Sequence, residues 1–576
     1  LRTQRIHPAS AEEWWFLATL VGTVFLAFGV IGSVATWMLL RLWTRLRGRA
    51  LSDPGWASAL CVPLLLPLLY FLTAAGTELT MFSSLVGLGS YRPFFGIVCA
   101  AYAVVAVFSV LLYRAIVRCD PRPRLAPLAM SCVVGLGGGL GLAPIWGEPV
   151  SSPKAAAQQA QPLSDVARPR TPLLFVGVDS GSWKILQPLL DRERAPALRR
   201  LIEGGVSGEM RASWPHPIWS APAWAAILTG YPREQTGIYQ ELAASASGLP
   251  PFQIPLEFDF LLDPLYLVEY RIAAKSGFLR LTPFPRSALL RPPVWQLLHS
   301  AGMRVAVVRF RFTFPAGDEA SFVISDNVGK DIWQVMGVWT QAAGSVAPRE
   351  MTSSVLSSFS EPSLSANTLV SASLPRGGPA VSPDAVISPG ESLRIAAEID
   401  ARTVDASLNL LRREPDIAAF FVYLGGFDTV CHSFWRYRFP AEFPEDPPDE
   451  AAVREFGQVI DRYMEFVDES IGKLIDAYPQ PPNVLVVADH GAEALHGNRS
   501  YSGAHAPTDG IFIAAGPTIP PQRDAIHLSY YDVAPSVLEL MGLAPLPDMR
   551  GASFLRPTTD EVSIGRDLVS RPGKDG

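Results

Sequence analysis

The stretch LLFVGVDSGSW, residues 173–183, is where the reading of this chain begins. Its first six residues are apolar or small without interruption, the pattern of a strand buried on both faces, as in a parallel sheet covered by helices. The run stops on an acid, Asp179. Two further runs end in the same way. AAFFVYL at 418–424 is followed by Asp428, and VLVVA at 484–488 is followed at once by Asp489 and His490. A fourth run, IFIAAG at 511–516, lies just after His505 and reads as another strand of this parallel kind. In open α/β sheets the carboxyl ends of the strands share one crevice, so residues far apart in sequence meet there. The pattern predicts an α/β fold built on a doubly wound, mostly parallel sheet.

Each acid has an ordinary reading beside the functional one. Asp179 alone could be a helix cap. Asp428 and His432 are spaced i, i+4 and could be a surface helix pair, but on a helix that follows the strand they project from one face at chelating distance. Asp489-His490 precedes Gly491, which permits a sharp turn. Three of the eight histidines, 432, 490 and 505, fall into this order. His7, His216, His299 and His527 lie outside any strand-end motif, and His496 is a candidate only for an outer role. Ser220 opens the run APAWAAIL, so its hydroxyl can cap a helix, and a helix N-terminus there also favours a bound phosphoryl anion. Cys431, between Asp428 and His432, points off their face in a helix and reads as packing. Jointly, Asp179, Ser220, Asp428, His432, Asp489, His490 and His505 read as one two-metal site for phosphoester chemistry.

The stretches LLFVGVDSGSW, PIWSAPAWAAILTGYPREQTGIY (217–239), VYLGGFDTVCHSFW (422–435), VVADHG and SGAHAPTDGIFIAAGP (502–517) resemble the alkaline phosphatase superfamily, in its type I phosphodiesterase/nucleotide pyrophosphatase branch. The resemblance covers roughly 171–550, and PPVWQLLHSAGMRVAVVRFRFTFPAG (292–317) resembles a further segment of that family. It implies an alkaline phosphatase-like domain in which Asp179, Ser220, Asp489 and His490 bind one metal ion while Asp428, His432 and His505 bind the other. Many nucleotide pyrophosphatases carry Thr at the nucleophile position; this chain has Ser220. A serine hydroxyl needs a base or a metal to become nucleophilic, and no His or Lys adjoins Ser220 in sequence. Two divalent ions about 4 Å apart can clamp attacking and leaving oxygens. Mixed Asp/His ligation suits zinc, and the carboxylate share leaves manganese or magnesium open. The expected course is attack by Ser220, a phosphoserine-type intermediate, then hydrolysis.

The first quarter of the chain has another character. The 576 residues are 49% hydrophobic, with a mean hydropathy of +0.21, and the excess is concentrated before residue 147. Apolar stretches at Trp14–Leu40, Ala57–Ala75, Pro93–Leu112 and Leu125–Trp146 carry no charged residue and match the roughly 20 residues that span a bilayer as a helix. The last is rich in Gly, which suits close helix packing. Arg41, Arg45, Arg47 and Arg49 follow the first stretch; Arg114, Arg118, Arg122 and Arg124 follow the third. The positive-inside rule places both loops in the cytoplasm. About four spans then return the chain outward, which puts the catalytic domain on the extracytoplasmic side. The first stretch is too long for the apolar core of a cleavable signal.

The expected organisation is a transmembrane region at 1–146, a Pro/Ala/Gln/Ser tether at 147–172, a catalytic domain at 173–560 and a tail at 561–576. A Ser/Pro/Ala-rich insert at 345–390 reads as a surface loop in preference to part of a cap over the cleft. Cys61, Cys99, Cys119 and Cys132 lie in or beside the spans, so Cys431 has no partner in the domain and the redox compartment stays open. A net charge of −6 gives no electrostatic case for a nucleic-acid polymer as partner, leaving a phosphoester substrate and the lipid bilayer. Of the rival activities, a sulfatase needs a C/S-x-P-x-R motif, and Ser220-Ala221-Pro222-Ala223 runs into Trp224. A phosphotransferase that moves a headgroup to a lipid or glycan shares the first half-reaction, and a phosphomonoesterase is the other alternative. A degenerate, non-catalytic domain is disfavoured because every ligand position is filled. Selectivity is expected from 237–298 and the insert. No arginine lies close to Ser220 in sequence, which favours diesters over monoesters, although Arg436, Arg438 or Arg499 could swing in.

Overall fold

The structure, a computed structural model, describes residues 171–214, 218–246, 279–329, 344–374, 379, 387–496, 502–522 and 524–556, all within the unit Val150–Val562. The four apolar stretches, the tether up to residue 170 and the C-terminal tail lie outside the described residues, as do His216 and Arg499. Among the described residues no helix is long and apolar enough to cross a membrane.

The strands, in chain order, are β1 (Leu173–Val178), β2 (Gly205–Arg211), β3 (Ala243–Ala246), β4 (Leu279–Thr282), β5 (Val305–Val308), β6 (Phe322–Ile324), β7 (Val346–Ala347), β8 (Ala419–Leu424), β9 (Asn483–Val487), β10 (Gly491–Ala494), β11 (Gly503–Ala506), β12 (Gly510–Ala515) and β13 (Ile526–Ser529). Nine form one sheet in the order β13-β2-β12-β9-β1-β8-β5-β6-β7, while β10-β11 and β3-β4 are separate hairpin pairs. From β9 through β1, β8 and β5 to β6 every pairing is parallel. The strand expected to be parallel at 511–516 is not: β12 runs antiparallel to both β9 and β2. A parallel return needs a crossover, usually a helix, and here β9 and β12 are joined through the β10-β11 hairpin.

Alternation along the central strands sends successive side chains to opposite faces. Leu174, Val176, Val178, Phe420, Val422, Val484 and Val486 belong to one core cluster. It is covered by α1 (Trp183–Asp191), α2 (Pro196–Gly204), α5 (Pro389–Arg413), α6 (Gly426–Arg438) and α7 (Val459–Asp476). Leu173, Phe175, Phe421, Tyr423, Leu485 and Val487 face the other cluster, under α3 (Ser220–Thr229), α4 (Val294–Ser300) and α8 (Val533–Leu540). The result is a three-layer α/β/α arrangement in which the central strands see no water on either face.

The Ser/Pro/Ala-rich insert departs from the loop reading. Its described part holds helices Thr352–Ser358 and Leu364–Ser373, and Val355, Phe359, Ala366 and Leu369 are buried in the same cluster as α5. Four apolar side chains at near-helical spacing provide a face that the overall polar composition conceals.

The join between β8 and α6 is tightly specified. Asp400 on α5 accepts hydrogen bonds from Gly426 N (3.0 Å) and from the Tyr463 hydroxyl (2.9 Å), so one buried carboxylate oxygen ties α5, the start of α6, and α7 together. A Cβ on Gly426 would lie 2.0 Å from the Tyr463 hydroxyl, so only glycine fits. Burial pushes Asp400 up to about 7 despite these two donors. The folded chain therefore holds a proton that the unfolded chain releases in the ordinary carboxylate range. The stability this contributes is complete below that range and is lost as pH rises through about 7. We expect wild-type unfolding free energy to fall by up to about 4 kcal/mol between pH 4 and pH 8 from this group, at about 1.36 kcal/mol per unit. In Asp400→Asn that component should vanish from denaturant titrations at the two pH values; an unchanged pH slope would remove Asp400 as its source.

Candidate active site

The sheet order explains the meeting of the acids. β9, β1 and β8 are adjacent and parallel, so their carboxyl ends lie side by side. Asp179 follows β1 directly, and Asp489 and His490 follow β9. Asp428 and His432 stand one turn apart on α6, which follows β8. Ser220 is the first residue of α3, and His505 lies in β11. Ser220 Oγ is 3.2 Å from Asp179 Oδ1 and 3.1 Å from His490 Nε2. His490 Nε2 is 3.4 Å from Asp179 Oδ1 and 3.2 Å from Asp489 Oδ2. On the other side, Asp428 Oδ1 is 3.2 Å from His432 Nε2 and 3.5 Å from His505 Nε2. The His490 and His505 rings stack with centroids 3.9 Å apart, which joins the two groups. All seven residues expected at the site are thus brought together, all but Asp428 and His505 being less than a tenth exposed.

The backbone sets the tautomer of each imidazole. His432 Nδ1 lies 2.6 Å from Gly503 O, His505 Nδ1 2.7 Å from Ile218 O, and His490 Nδ1 2.9 Å from Gly491 O. A carbonyl can only accept, so each Nδ1 carries a proton and each Nε2 is the ring atom turned into the site, free to ligate a cation once it sheds any proton of its own. Gly503 makes the first contact possible, because a Cβ there would lie 2.4 Å from Cys431 O. The Nε2 atoms of His432 and His505 are only 3.0 Å apart, a separation that suits either a proton shared between them or a cation that both ligate.

Charge tells the same story. Burial and then the neighbouring Asp428 raise Asp179, and burial with Asp179 raises Asp489 well above the usual carboxylate range. Asp489 Oδ1 accepts from Ser180 N (3.3 Å), whereas its fully buried Oδ2 has no hydrogen-bond partner among the described residues. Burial opposes the ionised form of Asp428, but His432 and His505 outweigh it and hold that carboxyl well below its usual range. Burial would lower His505, yet Asp428 pushes it up to about 9, while burial and His505 depress His490. Carboxylates and imidazole lone pairs that converge in a dry pocket fit divalent cations. Within the described residues two sets of ligand atoms are close enough to hold one: Asp179 with Asp489 and His490, and Asp428 with His490 and His505. His490 is common to both sets, where the family resemblance assigned it to one ion.

Four residues of the site escaped the sequence reading. Tyr423, at the end of β8, donates its hydroxyl to Asp179 Oδ2. Arg311, beyond the end of β5, lies 3.7 Å from Asp179 Oδ2 and pairs with Glu241 at 2.6 Å. Glu241 in turn accepts from Ala221 N at 2.9 Å. Ser180, in a left-handed conformation (φ 60°), gives its hydroxyl to Asp428 Oδ1 at 2.6 Å and lies 3.2 Å from His490 Nδ1. Tyr423 and Arg311 obey the strand-end rule and could have been found by it; Glu241 carries no local signal. The arginine that does stand at the site is Arg311, against Asp179, and it was not among the three named as able to swing in. Arg436 and Arg438, named as possible visitors, bond Asp446 and Asp461. Ser220 does not cap α3 either: Trp219 occupies the cap position, and the serine hydroxyl is turned to Asp179 and His490. His496 is exposed and packs on Phe443, and Cys431 is buried in the core.

A family model described as type I phosphodiesterase / nucleotide pyrophosphatase matches residues 173–510. No curated protein matches the chain. Among solved structures, alkaline phosphatase PafA is similar at 11% identity and a TM-score of 0.41, over 68% of this chain and 99% of that one. A 2-O GAG sulfatase is similar at 15% identity and 0.36, over 67% and 74%. Phosphonoacetate hydrolase from Sinorhizobium meliloti 1021 is similar at 20% identity and 0.28, over 57% and 58%.

Because the carboxylates repel one another without a cation, a chelator should lower the thermal unfolding midpoint of the full chain by several degrees. A ligand at a thousand times its Kd stabilises by about 4 kcal/mol. Asp489→Asn removes one repelling charge and one ligand, so its chelator-dependent shift should shrink. Equal midpoints with and without chelator in the wild type would count against a metal site here.

Proposed function

The chain belongs to the type I phosphodiesterase/nucleotide pyrophosphatase family and is a phosphoric ester hydrolase, and on that premise we propose that it cleaves phosphodiester or pyrophosphate bonds by attack of Ser220 at a two-metal centre. The observation that carries this reading is the placement of Ser220 Oγ, 3.1–3.2 Å from Asp179 and His490. Asp179, Ser220, Asp489 and His490 would hold one ion, and Asp428, His432 and His505 the other. When bound, two divalent ions, with zinc favoured by the His/Asp mixture and manganese or magnesium as alternatives, supply Lewis acidity to the attacking and leaving oxygens.

The protein's own groups do the rest. Asp179 Oδ1 and His490 Nε2 fix the Ser220 hydroxyl, and Tyr423 and Arg311 hold the other oxygen of Asp179. Position at the first turn of α3 aims Ser220 where the helix N-terminus favours an anionic phosphoryl group. Ser220 displaces the leaving alkoxide or phosphate to give a phosphoserine; water then attacks that ester and Ser220 leaves. The His505 and His432 rings are held in place through Nδ1 by the backbone oxygens of Ile218 and Gly503.

Ser220→Ala should lower turnover by several orders of magnitude, since loss of the nucleophile leaves only residual catalysis. For matched aryl esters we expect kcat/KM for the diester to exceed that for the monoester by at least about tenfold, about 1.4 kcal/mol. Wild-type turnover in Ser220→Ala would end the nucleophilic reading, and a ratio inverted toward the monoester would make this a phosphatase.

The second part of the proposal is location: an integral membrane protein, about four spans within 1–146, with the catalytic domain extracytoplasmic. It is supported by the uncharged lengths of the four stretches and by the arginines that follow the first and third. Protease added outside cells with a permeable outer layer should digest the catalytic domain and spare the loop at 41–56. Full protection of the domain would reverse the topology.

A further inference from the structure

Glu241 reaches the site from the segment before β3, and both its oxygens are committed. Oε2 accepts from Ala221 N at 2.9 Å, and Oε1 pairs with Arg311 Nη1 at 2.6 Å. The side chain is 8% exposed. Both partners are donors beside the nucleophile that could otherwise serve a phosphoryl oxygen. One is the amide directly after the nucleophile in the first turn of a helix, and the other is a guanidinium whose Nη2 lies 3.7 Å from Asp179.

We propose that Glu241 is a specificity-determining residue: by holding the Ala221 amide and Arg311 together, it selects phosphoryl groups with one negative charge over those with two. The proposal rests on Ser220 as nucleophile and names the substrate class of that same site. In a diester, or at an esterified phosphorus of a pyrophosphate, the third oxygen is alkylated and uncharged and needs no donor at this position. In a monoester dianion the third oxygen is charged and seeks the same amide, so it meets the Glu241 carboxylate at contact distance. Arg311 cannot relieve that contact while Glu241 and Asp179 engage it.

The test compares the metal-loaded full chain with Glu241→Gln and Glu241→Ala on a matched aryl diester and monoester, and measures binding of inorganic phosphate by calorimetry. Glu241→Ala frees both donors and should lower the diester-to-monoester ratio at least tenfold and tighten phosphate at least fivefold. Glu241→Gln removes the charge but keeps an acceptor for Ala221, so it should move both in the same direction by less. It carries the test if the alanine variant fails to fold. Unchanged ratio and unchanged phosphate affinity, with wild-type esterase activity intact, would overturn the role of Glu241 and leave the esterase reading standing. A wild type inactive on both esters, but with phosphate tightened in the variants, would support Glu241 as a charge selector while the esterase reading fails.

Discussion

Three carboxylates, Asp179, Asp428 and Asp489, are held within reach of one another in a pocket from which water is largely excluded. Two unit charges about 4 Å apart interact by about 4 kcal/mol at an effective dielectric constant of 20. The fold cannot relax this by separating them, because Asp179 and Asp489 terminate neighbouring parallel strands and Asp428 is pinned by the α5–α6–α7 junction through Asp400 and Gly426. Much of the surroundings can be understood as a response. Tyr423 and Arg311 satisfy the outer oxygen of Asp179, Ser180 and the two histidines surround Asp428, and Asp489 Oδ2 is left for a cation.

Beneath this charged layer lies an aromatic floor. Phe175, Phe310, Phe421, Trp224, Trp295 and Tyr423 pack with ring centroids 5.3–6.4 Å apart, and all are buried. Interiors packed to this density transmit displacement poorly into rotation of single side chains. Tyr423 belongs to both layers: its ring is part of the floor and its hydroxyl holds Asp179. Gly177 lies at the same level, where a Cβ would be 2.8 Å from both Phe310 and Trp224, so β1 is seated directly on the rings that support α3 and hence Ser220.

Asp179, Asp489 and His490 could be read from the chain because polar residues at the ends of buried strands mark them, and Asp428 with His432 by their spacing on the helix that follows such a strand. Ser220 at a helix start and His505 in a hairpin strand took the family resemblance as well. The strand-end rule reaches Tyr423 and Arg311 only when every strand-end residue is inspected, not just the acids and histidines. Glu241 obeys no local rule: its partners are Ala221 and Arg311, and neither spacing nor periodicity announces them. The direction of β12 was lost for a different reason. A short apolar run looks the same parallel or antiparallel, and what decides is the hairpin β10-β11, whose strands are too short and too rich in Gly and Ala to stand out. The insert helices were hidden because composition averages over a segment in which only one face is apolar. The proposed membrane region rests on charge and length alone.

The contact between Gly426 and Tyr463 carries a consequence for variation among related chains. A methyl group at 426 collides with the hydroxyl that shares Asp400, so neither position can drift alone. Replacing Tyr463 with Phe removes one obstructing oxygen but leaves Asp400 with one donor fewer, and a Cβ at 426 would still lie 2.7 Å from Asp400 Oδ2 and 2.9 Å from the backbone oxygen of Ala396. Positions 400, 426 and 463, brought together from three helices, are locked to one another in sequence space: substitutions there should be inherited as a set, although none of the three is among the residues proposed to carry the chemistry.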